Sequence, residues 1–477
     1  LERRAYAPFR EAVEKGQTTA LAEVNACLSA IENNKNLNAF LSVYAEEAKI
    51  AAKSADERFA NGNARALEGL ILSVKDVIAY KDHPLQASSK ILNGYISPFH
   101  STVLQRLVEA GAIVIGRVSC DEFAMGSSNQ SSAFGPVKNP VNPDLVPGGS
   151  SGGSAASVAA GTCHASLGSD TGGSVRQPAA FCGLVGLKPS YSRLSRYGLI
   201  AYASSFDCIG ILANTIEDTA LILELCAGED ELDATSSSAP TMAYSRIPKL
   251  DQALKVAVIR DTIAHEGIQK EIVEATEATI ELLKSQGHTV TLVDFPLLDY
   301  ILPVYYILTT AEASSNLSRF DGVRYGYRSS ANASLHDLYS KSRSEGFGPE
   351  VKRRILLGTF VLSASYYDAY YTQAQKVRRL VRDKTLEILG EHDCILTPTT
   401  PTTAFELNKS FSNPVESYLA DLFTVQASVA GLPAISIPVG NDHQGLPIGL
   451  QLVTGNMEEG KLLQIAQAFM QLQQVQV

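Results

Sequence analysis

Paired cysteines are missing from this chain. Its seven cysteines, Cys27, Cys120, Cys163, Cys182, Cys208, Cys226 and Cys394, are scattered and odd in number. None forms a C-x-x-C pair, so neither a disulfide framework nor a zinc site is indicated. Such usage points to a reducing, cytoplasmic setting. No stretch approaches the roughly 18 to 20 uninterrupted apolar residues that cross a bilayer, and the opening Leu1-Glu2-Arg3-Arg4-Ala5-Tyr6 lacks the apolar centre of a signal peptide. No membrane role is expected. A long basic run is also absent, and at a formal net charge of −10 the chain lacks the clustered Lys and Arg that neutralise phosphates. Any RNA would have to be held mainly by a more basic partner. Neither a phosphate loop ending in Gly-Lys-Ser/Thr nor G-x-G-x-x-G after a strand occurs, which argues against a nucleotide-binding or kinase role. No tandem repeat is visible, so a solenoid is not expected.

What is present is a globular chain of 477 residues, 45% hydrophobic and 19% charged, enough for a large core; length alone would allow two or three domains. Residues 1–65 read as helices, with Leu21, Val24, Leu28 and Ile31 at helical spacing and an Ala-, Glu- and Lys-rich stretch from Ala45 to Ala60. These would pack outside the core. From Leu67 short apolar strands alternate with helices. Thr102 to Ala110 reads as a helix closed by Gly111, and Ala112 to Ile115 as a strand. Later, Lys255 to Ile259 reads as a strand, Glu266 to Gln286 as a helix carrying Ile268, Ile272, Ile280 and Leu283, and Thr289 to Val293 as another strand. This β-α-β alternation predicts an α/β fold with a large, mixed, mostly parallel central sheet between helical layers. The segment 228–250, acidic, then Ser-rich, then Pro-bearing, is either a domain linker or a surface connection. We expect one domain over 1–477, with a helical region at 1–65, a core at 66–230 and the rest of the sheet at 250–477.

Two serine–glycine segments carry the chemistry. The first is Pro147-Gly148-Gly149-Ser150-Ser151-Gly152-Gly153-Ser154. A flexible linker is its plain alternative, opposed by direct continuation into the small-residue helix Ala155-Ala156-Ser157-Val158-Ala159-Ala160-Gly161. The segment also matches the G-x-S-x-G elbow of α/β-hydrolases, but that elbow needs a buried strand before it. Pro140, Pro143 and Pro147 forbid one. The second segment, Gly168-Ser169-Asp170-Thr171-Gly172-Gly173-Ser174, follows the strand-like His164 to Leu167. Its uncluttered amides suit an oxyanion hole, whose donors stand about 3 Å from the developing alkoxide. Ser174 is then the best nucleophile, or else a helix N-cap. Lys75, inside Leu72-Ser73-Val74-Lys75-Asp76-Val77-Ile78, either snorkels to solvent or, if buried, has its pKa lowered toward neutrality, as a general base requires.

Together these segments resemble the amidase signature enzymes, which use a Ser–cis-Ser–Lys triad, and the resemblance covers nearly the whole chain. It implies that Lys75 is the general base, Ser150 a bridging serine across a cis peptide bond, and Ser174 the acyl-forming nucleophile, with an oxyanion hole near Thr171, Gly172 and Gly173. Within the family the likeness is to the glutaminase subunits of three-subunit tRNA-dependent amidotransferases. It is carried by Asp121-Glu122-Phe123-Ala124-Met125-Gly126-Ser127-Ser128, Ser174-Val175-Arg176-Gln177-Pro178-Ala179, Ser195-Arg196-Tyr197-Gly198-Leu199, Ala313-Ser314-Ser315-Asn316-Leu317 and Glu350-Val351-Lys352-Arg353-Arg354-Ile355. This implies a glutamine pocket in which Arg354 pairs with the α-carboxylate, Asp421 binds the α-ammonium and Tyr305 lines the wall. Arg353 is the alternative carboxylate ligand, and a solvated helix face is the plain reading of both arginines. The resemblance further implies two partner subunits, a kinase/transamidase and a small third subunit. The first would use ATP and Mg²⁺ to convert misacylated Glu-tRNA(Gln) to Gln-tRNA(Gln) with the ammonia released here. No metal or cofactor is expected in this chain. A stand-alone amidase and a non-catalytic scaffold are the competing readings. Cys208, Ile211 and Thr454 depart from the family pattern without touching the triad.

Overall fold

The computed structural model describes residues 3–264, 267–331, 334–409 and 419–474. Its strands are β1 Phe40–Val43, β2 Ile71–Lys75, β3 Ile113–Val118, β4 Ala165–Asp170, β5 Val185–Lys188, β6 Cys208–Ala213, β7 Lys255–Ile259, β8 Thr289–Val293, β9 Cys394–Pro398, β10 Ala434–Asn441 and β11 Pro447–Val453. All lie in one sheet, in the order β1-β3-β2-β4-β6-β5-β10-β11-β9-β7-β8. Every residue of β2 to β6 is buried, as expected when helices cover both faces and strands read as continuous apolar runs. One hydrophobic cluster reaches from Tyr6 to Phe469.

The sheet is mixed, but not mostly parallel. Six of its ten neighbour pairs are antiparallel and four parallel. The parallel pairs β3-β2-β4 and β9-β7-β8 lie towards the two flanks, where helical crossovers connect the strands and the β-α-β alternation is legible. The centre, β4-β6-β5-β10-β11-β9, is antiparallel throughout. There β10 returns to β11 through a tight turn in which the Gly445 N–H donates to the Asp442 carbonyl at 3.0 Å, a connection too short to hold a crossover helix.

Local expectations fare differently. The strands Lys255–Ile259 and Thr289–Val293 occur with the bounds expected, and the helix between them runs Lys270–Ser285; Glu266 lies outside the described residues. The helix after Ser101 ends at Glu109, with Ala110 as its cap and Gly111 following at φ +110°. The N-terminal region holds the helices Tyr6–Glu14, Ala20–Asn33 and Ala45–Ala60. It also holds β1, which pairs antiparallel with β3 and is too short for alternation to announce. Residues 228–250 form a surface connection. Asp230 accepts the hydroxyls of Thr102 (2.6 Å) and Ser195 (2.5 Å), Asp233 accepts the Arg196 N–H (2.7 Å), and Tyr244 is buried. Among the described residues no helix is long and apolar enough to cross a membrane.

Candidate active site

β2 and β4 run side by side in parallel, with Val74 opposite Leu167, so their carboxyl ends open on one edge. Crevices at such ends are where α/β sheets hold their reacting groups. Lys75 is the last residue of β2 and Asp170 the last of β4. Continued by one step this register sets Lys75 level with Gly168, and the lysine side chain reaches the next residue, Ser169. Its Nζ lies 2.9 Å from Ser169 Oγ and 3.3 Å from the Ser169 carbonyl oxygen.

The first serine–glycine segment supplies the other neighbours of this amine. It is no linker: it turns directly into the buried helix Gly152–Ala159, and no strand precedes Gly148. The Gly149–Ser150 peptide is cis. Ser150 Oγ stands 2.7 Å and Ser151 Oγ 2.8 Å from Lys75 Nζ. The segment is pinned from outside by Gln177, whose Oε1 accepts the Gly149 N–H at 2.8 Å while its Nε2 donates to the Ser127 carbonyl at 2.8 Å. Lys75 does not snorkel; it is fully buried. Burial lowers its pKa from the ordinary 10.5 to about 8, against the opposing pull of Cys120, Asp121, Asp170 and Asp207. The positive end of helix Gly152–Ala159, which begins just after Ser151, also disfavours a cation there.

Ser174 sits in the turn after β4. At 9% exposure it is the member of the trio open to solvent, where Lys75 and Ser150 are at 0%. Its hydroxyl makes no hydrogen bond among the described residues, and the link to the Ser150 segment is through the backbone, where the Ser151 N–H donates to the Ser174 carbonyl at 3.1 Å. The Lys75–Ser150 contact is therefore made, and the Ser150–Ser174 hydroxyl contact is not closed in this conformation. Contacts of this kind often tighten only around substrate.

A buried ion pair shapes the loop. Arg176 clamps Asp170 through Nη2–Oδ1 (2.8 Å) and Nε–Oδ2 (3.0 Å), and Arg176 is itself held by the Thr424 carbonyl (2.7 Å) and Ser428 Oγ (2.9 Å). Burial alone would raise the Asp170 pKa, but the Arg176 charge outweighs it and holds the carboxyl below its ordinary value. The carboxylate in turn takes the Gly173 N–H at 2.8 Å. This corrects the expected oxyanion hole: the Gly173 amide already has an acceptor and cannot serve. The backbone N–H groups of Thr171, Gly172 and Ser174 have no acceptor among the described residues. The Ser174 amide, unpaired among the described residues, was not among the expected donors, because a residue's own backbone carries no sequence signal.

Of the three expected pocket residues one touches the same loop and two are linked to it through intermediates. Tyr305, on helix Leu298–Asn316, presses its phenol against Gly172, where an added Cβ would lie 2.5 Å from the hydroxyl oxygen. Asp421 joins through Thr424, whose hydroxyl is bonded to the Gly172 carbonyl (2.7 Å) and the Asp421 carbonyl (3.1 Å). Arg354, on helix Pro349–Val361, contacts Tyr202 Oη at 2.8 Å. The Tyr202 N–H donates to Asp207 (2.9 Å), which also accepts the Thr171 hydroxyl (2.6 Å). Of the two adjacent arginines, Arg354 is buried over the rings of Tyr202 and Tyr306, whereas the Arg353 side chain is 48% exposed and pairs with Glu350. Burial raises the Asp421 pKa to about 7, partly offset by the Arg354 charge and by the Tyr306 hydroxyl at 3.3 Å.

The loop tolerates no added side chains. A Cβ on Gly173, at φ +141°, would lie 2.1 Å from Thr424 Oγ1. Gly173→Ala is expected to destabilise the fold by about 2 kcal/mol or more and to depress activity, read by thermal denaturation and amide hydrolysis. An alanine variant as stable and active as the parent would contradict this packing.

The site can thus offer a buried low-pKa amine, a relay hydroxyl, a partly open hydroxyl and free amides, which is the equipment of serine-type amide hydrolysis. The family model Amidase matches residues 22–463. The chain belongs to the amidase family. Among the similar members, the A subunit of glutamyl-tRNA(Gln) amidotransferase from Acidobacterium capsulatum is 49% identical over 98% of each chain. Its counterpart from Chlorobium phaeobacteroides is 49% identical over 97% of this chain and 98% of its own. The crystal structure of the glutamyl-tRNA(Gln) amidotransferase A subunit from Thermotoga maritima superposes with a TM-score of 0.79 at 38% identity, covering 96% of this amidase and 93% of that chain. Peptide amidase from Stenotrophomonas maltophilia superposes at 0.83 with 27% identity, over 98% and 97%.

Proposed function

We propose that this amidase is the glutamine-hydrolysing subunit of a tRNA-dependent amidotransferase. One observation carries the reading: Arg354 and Asp421 are both buried and each is linked to the loop that bears Ser174, Arg354 through Tyr202 and Asp207 and Asp421 through Thr424. A serine–lysine apparatus alone would cleave any amide; a cation and an anion beside it select a zwitterionic amino acid. Arg354 takes the α-carboxylate of glutamine, Asp421 the α-ammonium, and Tyr305 closes the wall.

The hydrogen-bond inventory around Lys75 suits a base. The Ser151 hydroxyl spends its proton on the Ser169 carbonyl at 3.1 Å, so towards Lys75 it accepts. A neutral amine has two hydrogens, for Ser151 and Ser169, and one lone pair, left for the Ser150 proton. Ser150 relays the proton of Ser174, whose Oγ attacks the carboxamide carbon. The amides of Thr171, Gly172 and Ser174 receive the oxyanion. The same line returns the proton to the leaving nitrogen and ammonia departs. Water, activated by the reverse route, then cleaves the ester to glutamate and restores the Ser174 hydroxyl.

By this reading the ammonia passes to a kinase/transamidase subunit, which uses ATP and Mg²⁺ on misacylated Glu-tRNA(Gln) in the cytoplasm. A small third subunit completes the heterotrimer, and tRNA is held mainly by the partner. The similar proteins from Acidobacterium and Chlorobium are each one subunit of an amidotransferase, which supports a complex of several subunits here.

The test measures glutamate and ammonia released from glutamine and from simple aliphatic amides. Glutamine is expected to be strongly preferred, and equal turnover of an amide without α-substituents would instead identify a stand-alone amidase. Arg354→Ala is expected to raise KM for glutamine about a hundredfold, from loss of a buried charged hydrogen bond worth about 2 to 3 kcal/mol. Arg353→Ala should change it less than about threefold. The reverse pattern would transfer the carboxylate to Arg353.

A further inference from the structure

Glu122 is a buried acid outside the reacting groups, in the turn Glu122–Ala124 that follows β3. Its carboxylate accepts the Gly348 N–H, at 2.8 Å to Oε2 and 3.1 Å to Oε1, and the Ser89 hydroxyl. Gly348 caps helix Pro349–Val361, the helix that carries Arg354. As a glycine, Gly348 brings no side chain to cap this end. The carboxyl of a distant residue therefore supplies an acceptor and, above the value of about 7 to which burial raises its pKa, a negative charge at the positive pole. The fit is close, for an added Cβ on Gly348 would lie 2.3 Å from Glu122 Oε2.

The neighbouring residue of the same turn is tied to the catalytic serines. The Asp121 N–H donates to the Ser150 carbonyl at 3.1 Å, and the Asp121 carboxylate, which accepts the Asn129 N–H at 2.8 Å, fills the space a side chain on Gly149 would need. Directly after the two anchors the backbone is held in an unusual state. Phe123 (φ +50°) and Ala124 (φ +59°) are both left-handed, at about 1 to 2 kcal/mol each. The Phe123 ring packs on Phe347, 5.6 Å between centroids, immediately ahead of Gly348. One short turn thus holds the Ser150 carbonyl by one residue and the cap of the arginine helix by the next.

We infer that Glu122 is a positioning residue for substrate selection, setting where Arg354 stands relative to the catalytic serines by fixing the start of helix Pro349–Val361. The inference rests on the glutaminase reading above. Arg354 lies six residues beyond the cap, about 9 Å along the axis, and its Nε is braced at 2.8 Å by Glu350 of the first turn. Release of the cap loosens that first turn, and with it the brace. Carboxylate recognition then suffers while the chemistry at Ser174 is unchanged.

The experiment compares glutamine with γ-aminobutyramide, which keeps the carboxamide and the ammonium but lacks the α-carboxylate, in the full chain with its partner subunits. Glu122→Gln keeps the size of the side chain but removes the charge. It is expected to raise KM for glutamine about tenfold with kcat within about threefold, and to leave γ-aminobutyramide kinetics unchanged, the loss of one buried charged contact. Gly348→Ala, made separately, displaces the carboxylate without altering Glu122 and should give the same signature. An unchanged KM in both variants, or equal losses on both amides in both, overturns the inference. A parent complex that releases no glutamate from glutamine would sink the glutaminase reading, and this inference with it.

Discussion

Ser174→Ala is expected to lower glutamine hydrolysis by about a thousandfold or more, the scale seen when a nucleophile is removed from a catalytic unit. The rest of the site would remain: the Lys75–Ser150 contact at 2.7 Å does not involve Ser174, and the loop is held by the Asp170–Arg176 clamp. What remains can bind glutamine and stabilise charge but has no oxygen to acylate. Because the Ser174 hydroxyl bonds to nothing among the described residues, its removal strands no polar group, and thermal stability should change by less than about 0.5 kcal/mol. Activity and stability are thereby separated in one variant. Retention of more than about a tenth of parental kcat would be incompatible with nucleophilic attack by this residue. Mass spectrometry of a trapped acyl-enzyme should place the adduct on Ser174, and an adduct on another side chain would end the proposal.

Loss of the amine at Lys75 should be as severe. Lys75→Met keeps the volume of the side chain and removes the base, with an expected fall in kcat of about three orders of magnitude. It also leaves the hydroxyls of Ser150, Ser151 and Ser169 without their shared partner, so a stability loss of about 1 to 3 kcal/mol should accompany it. The parent enzyme offers a further check. Only the neutral amine accepts a proton, and burial brings the Lys75 pKa down to about 8. Below that pH the protonated fraction grows, so kcat/KM should fall about tenfold per unit on the acid side and level off above about 8. Had burial not lowered the pKa, the rise would continue to the ordinary lysine value. A flat profile between about pH 6 and 9 would show that no amine titrates in the rate-determining step.

Much of this site was legible residue by residue, because it is built from unusual local sequence. A glycine-rich turn after a strand, a second serine–glycine segment leading into a small-residue helix, and a lysine in an apolar run are each rare enough to stand out. The family resemblance then assigned their roles. The pocket residues Tyr305, Arg354 and Asp421 came from that resemblance alone, since each is an ordinary residue in an ordinary helix or turn. Which arginine faces inward could not be read, because adjacent positions on a helix differ only by rotation against a packing partner. The oxyanion donors were misjudged at Gly173 for a related reason. Whether an amide is free depends on what else reaches it, and Asp170 reaches this one only because Arg176 turns its carboxylate. The strand order escaped likewise, as antiparallel neighbours in a buried centre show the same continuous apolar runs as parallel ones.

Composition and motif by themselves determined that this chain folds as an α/β enzyme with serine-based amide chemistry, for those properties reside in residue types and in spacings along the backbone. Tertiary structure alone decided that Lys75 is dry enough for its pKa to fall to about 8, that Ser151 and Ser169 contact its amine, and that the arginine helix is capped by Glu122 from a separate turn. Desolvation and hydrogen-bond partnership belong to the space between segments, and that space exists only once the sheet has closed around them.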